Sequence, residues 1–171
     1  MHSKIWAFGK ILGGVETIHA ALLKVLGENA TIVVPTYTVS LTENDFYDPD
    51  ITPADSMGSY SDFFLKLPER TRSLCPIHNH AAIGAEAMAL RQFADGSCSL
   101  GPGSDFEWLY KADFDLLLLG CSFAEGATYL HHLEAMAKIP YRKWTNLKRT
   151  LAGEGGKRSL LNVPYFARND K

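Results

Sequence analysis

The sequence predicts an α/β fold: a mostly parallel central sheet with helices on both faces, a three-layer sandwich forming one domain over residues 1–171. Two segments predict it. Phe114 to Leu119 is an apolar run broken only by Asp115, which reads as a strand buried on both faces, and Gly120 ends it. A small-residue loop, Cys121 to Ala127, then feeds a helix with Thr128 as a good N-cap and Leu130, Leu133, Met136 and Ala137 as its apolar positions. Nearer the start, Gly13-Gly14, a helical repeat from Val15 to Leu26, Gly27, and the apolar run Thr31 to Val34 stopped by Pro35 follow the order of an α/β crossover.

The remaining elements follow in order. Met1 to Gly9 reads as a strand end and loop. Thr36 to Ser59 is a long polar segment rich in turn-forming Asn, Asp, Pro and Gly. Ser61 caps a predicted helix over Asp62 to Leu67, ended by Pro68, and Ala81 to Gly84 reads as a short strand. Ala85 to Phe93 is helical by composition. Asp95 to Ser104 is a loop, from which Ser104 or Asp105 caps a helix through Tyr110. After Ile139-Pro140 an extended tail begins at about residue 140. Tyr141 to Thr150 and Arg158 to Phe166 are two extended halves around a turn at Gly153 to Gly156, able to pair as a hairpin in which Pro164 demands an edge position. The last residues look frayed.

Composition narrows the function. The chain of 171 residues is long enough for a real core, and a net charge of −2 gives no reason to expect nucleic acid as a partner. No apolar run approaches the ~20 residues of a membrane span, and the start lacks a signal-peptide core. Three cysteines without a CxxC pair suit reduced thiols, so a cytoplasmic location is expected.

His131 and Glu134 lie one helical turn apart, a base and a carboxylate able to orient it, at the end of the central strand where α/β proteins bind ligands. His132 points about 100° away and reads as structural or substrate-lining. Arg70, Arg72 and Ser73 suit phosphate oxygens or a solvated basic loop equally. The acidic side chains Asp45, Asp48 and Asp55 suit a cationic substrate or simply a solvated loop. Cys75, His78 and His80, joined by His131, His132 or Glu134, form a possible zinc set, which would make the protein a metal-dependent hydrolase, although no standard zinc spacing is matched. Gly101-Pro102-Gly103-Ser104 lacks the phosphate-loop signature. Phe106, Trp108, Tyr110 and Phe114 read as core or subunit contacts. Trp6 and Phe8 read as a cover for an adenine or for a partner chain.

An ordered set of fragments resembles the antibiotic N-acetyltransferases, the aminoglycoside 3-N-acetyltransferases and their relatives. It runs from His2-Ser3 through Gly13-Gly14-Val15-Glu16-Thr17, Gly27, Val34-Pro35-Thr36-Tyr37-Thr38 and Tyr47-Asp48-Pro49. It continues with Arg72-Ser73, Pro76, His78, Ala81 to Gly84 and Gly101 to Ser104. It ends with Leu117 to Gly120, Thr128-Tyr129-Leu130-His131, Glu134 and Ile139-Pro140-Tyr141-Arg142. The resemblance implies acetyl-CoA as co-substrate, an amine of an aminoglycoside or amino sugar as acceptor, and direct transfer with no metal. It implies His131 as general base, with Glu134 and Thr128 beside it. It implies His2, Ser3 and Ser73 near CoA; Lys4, Thr36 and Arg72 are read beside them, and Tyr37, Asp45, Asp48 and His78 are read near the acceptor. Relatives extend beyond both ends of the matched segment and carry His where this chain has Cys75. A truncated, non-catalytic relative that binds CoA or a partner subunit is therefore the alternative, and a homo-oligomer is a further expectation.

Overall fold

The structure, a computed structural model, describes residues 1–169. Strand β2 (Thr31–Pro35) is buried over all but its first residue, and its sequence explains why. Successive side chains of a strand point to opposite faces, so an unbroken apolar run demands cover on both. Ile32 and Val34 pack with Tyr60 and Phe64 of helix α2 (Ser59–Phe64) and with Val15, Ile18 and Leu22 of helix α1 (Gly14–Leu26). Val33 turns the other way, onto Ala87 and Leu90 of helix α3 (Ala87–Phe93) and Trp108 of helix α4 (Asp105–Lys111). Helices therefore cover both faces here, and each fully buried aliphatic or aromatic side chain contributes about 1.5–3 kcal/mol. His19 Nδ1 lies 2.9 Å from the Tyr60 hydroxyl and ties α1 to α2.

The strand pairings are mixed, and the expectation of a mostly parallel sheet is not confirmed. β2 pairs antiparallel with β5 (His80–Gly84), which pairs antiparallel with β4 (Thr71–Arg72). β1 (His2–Ser3) pairs in parallel with β6 (Leu118–Leu119), and the Met1 amine donates to the Val33 carbonyl, joining β1 to the edge of β2. β3 (Phe46–Tyr47) lies parallel to β7 (Arg142–Ala152). β7 and β8 (Arg158–Arg168) form the expected hairpin, from Arg142 opposite Arg168 to Ala152 opposite Arg158. Pro164 lies on β8, at the edge of its sheet, as its missing N–H requires.

Two sequence expectations are corrected. The run Phe114 to Leu119 is not buried on both faces: only Leu118 and Leu119 pair as strand, and Leu116 and Leu117 are 41% and 40% exposed. Apolar content alone cannot say whether neighbouring elements supply cover. Helix α6 (Tyr129–Met136) is present, but Leu130, Leu133 and Met136 face outward, while His132 and Ala135 face in. His132 Nδ1 takes the Leu100 carbonyl at 2.6 Å, and its ring stacks near Phe106, so a polar residue occupies the inner face. Smaller shifts have local causes. Helix α2 starts earlier than expected, capped at Gly58 rather than Ser61. Helix α5 (Phe123–Gly126) occupies the expected loop, built by a capping box between Ser122 and Glu125. The expectation of frayed final residues falls in part on residues 170 and 171, outside the described residues. No helix among the described residues is long and apolar enough to cross a membrane.

Candidate active site

Four side chains converge where α6 meets the first residues of β7. His131 Nδ1 lies 2.7 Å from Glu134 Oε2, the i,i+3 contact that one helical turn provides. Tyr141, just before β7, donates its hydroxyl to Glu134 Oε1 at 2.8 Å. Arg142 Nε lies 2.9 Å from Glu134 Oε2 as an ion pair, without its N–H aligned for a hydrogen bond. Its Nη2 lies against the imidazole, 3.1 Å from Nδ1 and 3.4 Å from Nε2, and its Nη1 donates to the Phe166 carbonyl on β8 at 3.0 Å. The hairpin thus brings the cation to the helix. Burial raises the Glu134 pKa, but hydrogen bonds from His131 and Tyr141 and the charge of Arg142 outweigh it, so the carboxyl titrates below the usual range.

His131, Arg142 and Thr128 line an open cleft of about 500 Å³ together with Tyr37, His78 and Arg168. Thr128 and His131 come from the start of α6, Tyr37 from the loop after β2, His78 from the segment before β5, and Arg168 from the end of β8. His78 is buried edge-on to Tyr37 and stacked on Tyr165, with Nδ1 on the Ser99 hydroxyl. Burial first, then the neighbouring His80 and His131, push its pKa down to about 3, so it stands neutral. Thr128 makes no cap bond, and its backbone is already helical, which corrects the expected N-cap. A larger groove, about 640 Å³ and more apolar, is lined by His80, Phe106, Leu116 and Leu117 among others.

The other expected site residues lie elsewhere. Thr36, Arg72 and Ser73 are buried and held by protein groups. Arg72 Nε donates to Asn79 Oδ1 at 2.9 Å and Nη2 to the Thr36 carbonyl at 2.7 Å, while the Thr36 hydroxyl donates to Asn79 Oδ1 at 2.8 Å. The Ser73 hydroxyl donates to Asp105. None of the three lines the His131 cleft. His2 borders the larger groove, Ser3 lies beside it on β1, and Lys4 pairs with Glu125 while lying over the Trp6 ring. Asp45 accepts from the Thr42 backbone N–H and hydroxyl, Asp48 from the Asp50 N–H, and Asp55 from the Ser40 N–H. These carboxylates fasten their own loop and do not line the cleft. The zinc reading finds no support: no three His, Cys, Asp or Glu side chains among the described residues are arranged to hold a metal ion. Cys75 is fully buried, and burial pushes its thiol pKa up.

Tyr141, Arg142 and Arg168 were missed as site residues. Tyr141 and Arg142 fall in a family-like fragment but were given no role, the rest of the tail reads as extended and basic, and what aims it at His131 is the long-range docking of the hairpin.

A layered α/β protein with a helix-borne His–Glu pair opening on a cleft defines the class. The chain belongs to the aminoglycoside 3-N-acetyltransferase family, whose model matches residues 1–170. It is 30% identical over 172 residues to aminoglycoside N(3)-acetyltransferase VII of Streptomyces paromomycinus, a match covering 90% of this chain and 59% of that protein. It is 28% identical over 173 residues to aminoglycoside N(3)-acetyltransferase III of Salmonella sp., covering 91% of this chain and 60% of that one. The chain thus spans about three fifths of the length of these relatives. The crystal structure of YokD from Bacillus subtilis matches with a TM-score of 0.83 at 26% identity, over 96% of this chain and 73% of that one.

Proposed function

We propose that the chain carries an acetyltransferase site that moves an acetyl group from acetyl-CoA to an amine of an aminoglycoside or amino sugar, with His131 as general base. The observation that carries this reading is the 2.7 Å contact of His131 with Glu134 at the edge of a cleft, in a chain of this family. Glu134 accepts the Nδ1 proton and so leaves Nε2 as the basic nitrogen. An alkylammonium is not a nucleophile until it loses a proton. His131 takes that proton at Nε2, and Glu134 stabilises the imidazolium that forms. Acetyl-CoA supplies the thioester carbon that the neutral amine attacks. With the ammonium proton passed on to solvent, His131 takes the second N–H proton as the C–N bond forms and returns it to the departing thiolate as the C–S bond breaks. Arg168 at the cleft rim offers a cation to phosphate oxygens, and Arg142 holds Glu134 in place.

CoA release from acetyl-CoA, followed over a panel of aminoglycosides and simple amino sugars with His131→Ala beside the wild type, tests the reading. Turnover with at least one acceptor is expected, reduced about 10²- to 10⁴-fold in the variant. A folded His131→Ala protein with full turnover would overturn the assignment of the base. No turnover from the wild type with any acceptor would favour the non-catalytic relative.

A further inference from the structure

His78 lines the same cleft as His131, and the acyl-transfer steps above make no use of it. Its backbone is clamped on both sides. The Ile77 carbonyl accepts from the Thr38 N–H at 2.9 Å, the Pro76 carbonyl from the Thr38 hydroxyl at 3.1 Å, and the Asn79 carbonyl from the Thr36 N–H at 3.0 Å. Its ring is clamped as well. Tyr165 stacks on it with centroids 5.7 Å apart and 11° between the planes, and Tyr37 makes a T-shaped contact at 5.1 Å. His78 Nδ1 lies on the Ser99 hydroxyl, and the Ser99 N–H donates to the carbonyl of Pro164, the neighbour of Tyr165, at 3.3 Å. The hairpin thus holds both the stacking ring and the serine in place.

Two observations place the hydrogen on this ring. The side chain is 6% exposed among aromatic rings, and its hydrogen-bond partner is a hydroxyl rather than a carboxylate, so burial keeps it neutral. Ser99 is fully buried, and among the described residues its hydroxyl has His78 Nδ1 as its one partner. A buried hydroxyl with one partner donates to it, since accepting would leave the O–H unpaired. Nδ1 is therefore the acceptor, and the neutral ring carries its hydrogen on Nε2. Nε2 has no hydrogen-bond partner among the described residues and is not sealed from solvent, so its N–H is free for what enters the cleft.

We propose that the Nε2–H of His78 binds the thioester carbonyl oxygen of the acetyl donor and stabilises the oxyanion that forms there when the amine attacks. This rests on the reading of the cleft as an amine-acetylating site. An ammonium needs hydrogen-bond acceptors, and a nitrogen that carries its hydrogen cannot accept, so His78 moves from the amine to the acetyl donor. As the C–N bond forms, the C=O π pair moves onto oxygen. His78 donates a hydrogen bond to that oxygen and keeps its proton. The pair returns as the C–S bond breaks and the thiolate leaves. A neutral donor fixed by Ser99 and by packing needs no reorganisation while the charge develops.

The test is steady-state acetyl transfer from acetyl-CoA to an aminoglycoside that the wild type turns over. His78→Phe keeps a ring against Tyr165 and removes the donor. It is expected to lower kcat about 10²- to 10³-fold, with KM for both substrates within about threefold of wild type. His78→Gln, whose amide N–H reaches near the position of Nε2, is expected to recover part of that loss. Ser99→Ala releases Nδ1 and is expected to lower kcat with KM unchanged. Melting curves establish that each variant folds. A folded His78→Phe protein with wild-type kcat, or with its loss confined to the KM for the amine, would overturn the inference while leaving acetyl transfer standing. Long-range proton–nitrogen spectra of the His78 ring, which need neither substrate nor variant, are expected to show the Nε2–H tautomer at neutral pH. An Nδ1–H tautomer or an imidazolium would overturn the inference on its own. A wild-type protein without turnover on any acceptor would fail the acetyl-transfer reading and this inference together.

Discussion

Arg72 is a cation used as an interior fastener. Its guanidinium spans the Asn79 side chain and the Thr36 carbonyl and lies over the Tyr47 ring, at 2% exposure. Arg72→Ala is expected to lower stability by about 2–4 kcal/mol, because it leaves buried acceptors without a donor. Urea unfolding checks this, and an unchanged midpoint would show that the network is dispensable. Glu134→Gln probes the opposite kind of residue. It keeps the shape but removes the charge that, in the proposed mechanism, orients His131, so kcat is expected to fall at least about tenfold, with a lower melting temperature because Arg142 loses its ion-pair partner. The pairing of His131 with Glu134 was legible in the sequence, since it is set by helical spacing alone. The burial of Arg72 and Ser73 was not: a basic, hydroxyl-rich segment reads the same at a ligand site and inside a hydrogen-bonded core.

Among the elements, those with local signals came through and those built by remote partners did not. Ser104 caps α4, accepting from the Glu107 N–H, and Ser104→Ala is expected to destabilise by about 1 kcal/mol, a drop of about 2–4 °C in melting temperature. Gly84 closes β5 with φ of +121°, and an added Cβ would lie 2.0 Å from the Ala30 carbonyl oxygen. Gly84→Ala is therefore expected to cost about 1–3 kcal/mol and to loosen the β2–β5 ladder, readable as faster amide exchange at Ile32 and Ile83. The hairpin was readable from two extended runs around glycines. Strands β3 and β4, two residues each, were not, because so short a strand exists only through its partner. In α6 the apolar period located the helix and misjudged its inner face, since burying His132 needed an acceptor, the Leu100 carbonyl, that lies 32 residues away.

For the molecule as a whole, buried neutral histidines set the response to acid. Burial, then neighbouring positive charge, holds His78 at about 3, against about 6.5 in the unfolded chain. Between those values the unfolded state binds more protons, so stability is complete above about pH 6.5 and is lost as pH falls toward 3. The slope approaches about 1.4 kcal/mol per pH unit for this one group. His2, also lowered to about 3 by burial and by the Met1 amine, adds in the same direction. Unfolding free energies measured at pH 7 and pH 5 are expected to differ accordingly, and His78→Asn to shrink the difference. An unchanged difference in that variant would place the acid sensitivity elsewhere. The sequence by itself determined the class, the family motifs, the short buried strand β2 and the His131–Glu134 pair, because composition, periodicity and helical spacing are local properties. Only the tertiary structure decided the strand directions, the inner face of α6, the approach of Arg142 and Tyr141 to Glu134, and the buried contacts from Asp105 through His80 to Tyr37. Each of these depends on which distant backbone or side-chain group arrives to complete a hydrogen bond or cover an apolar face.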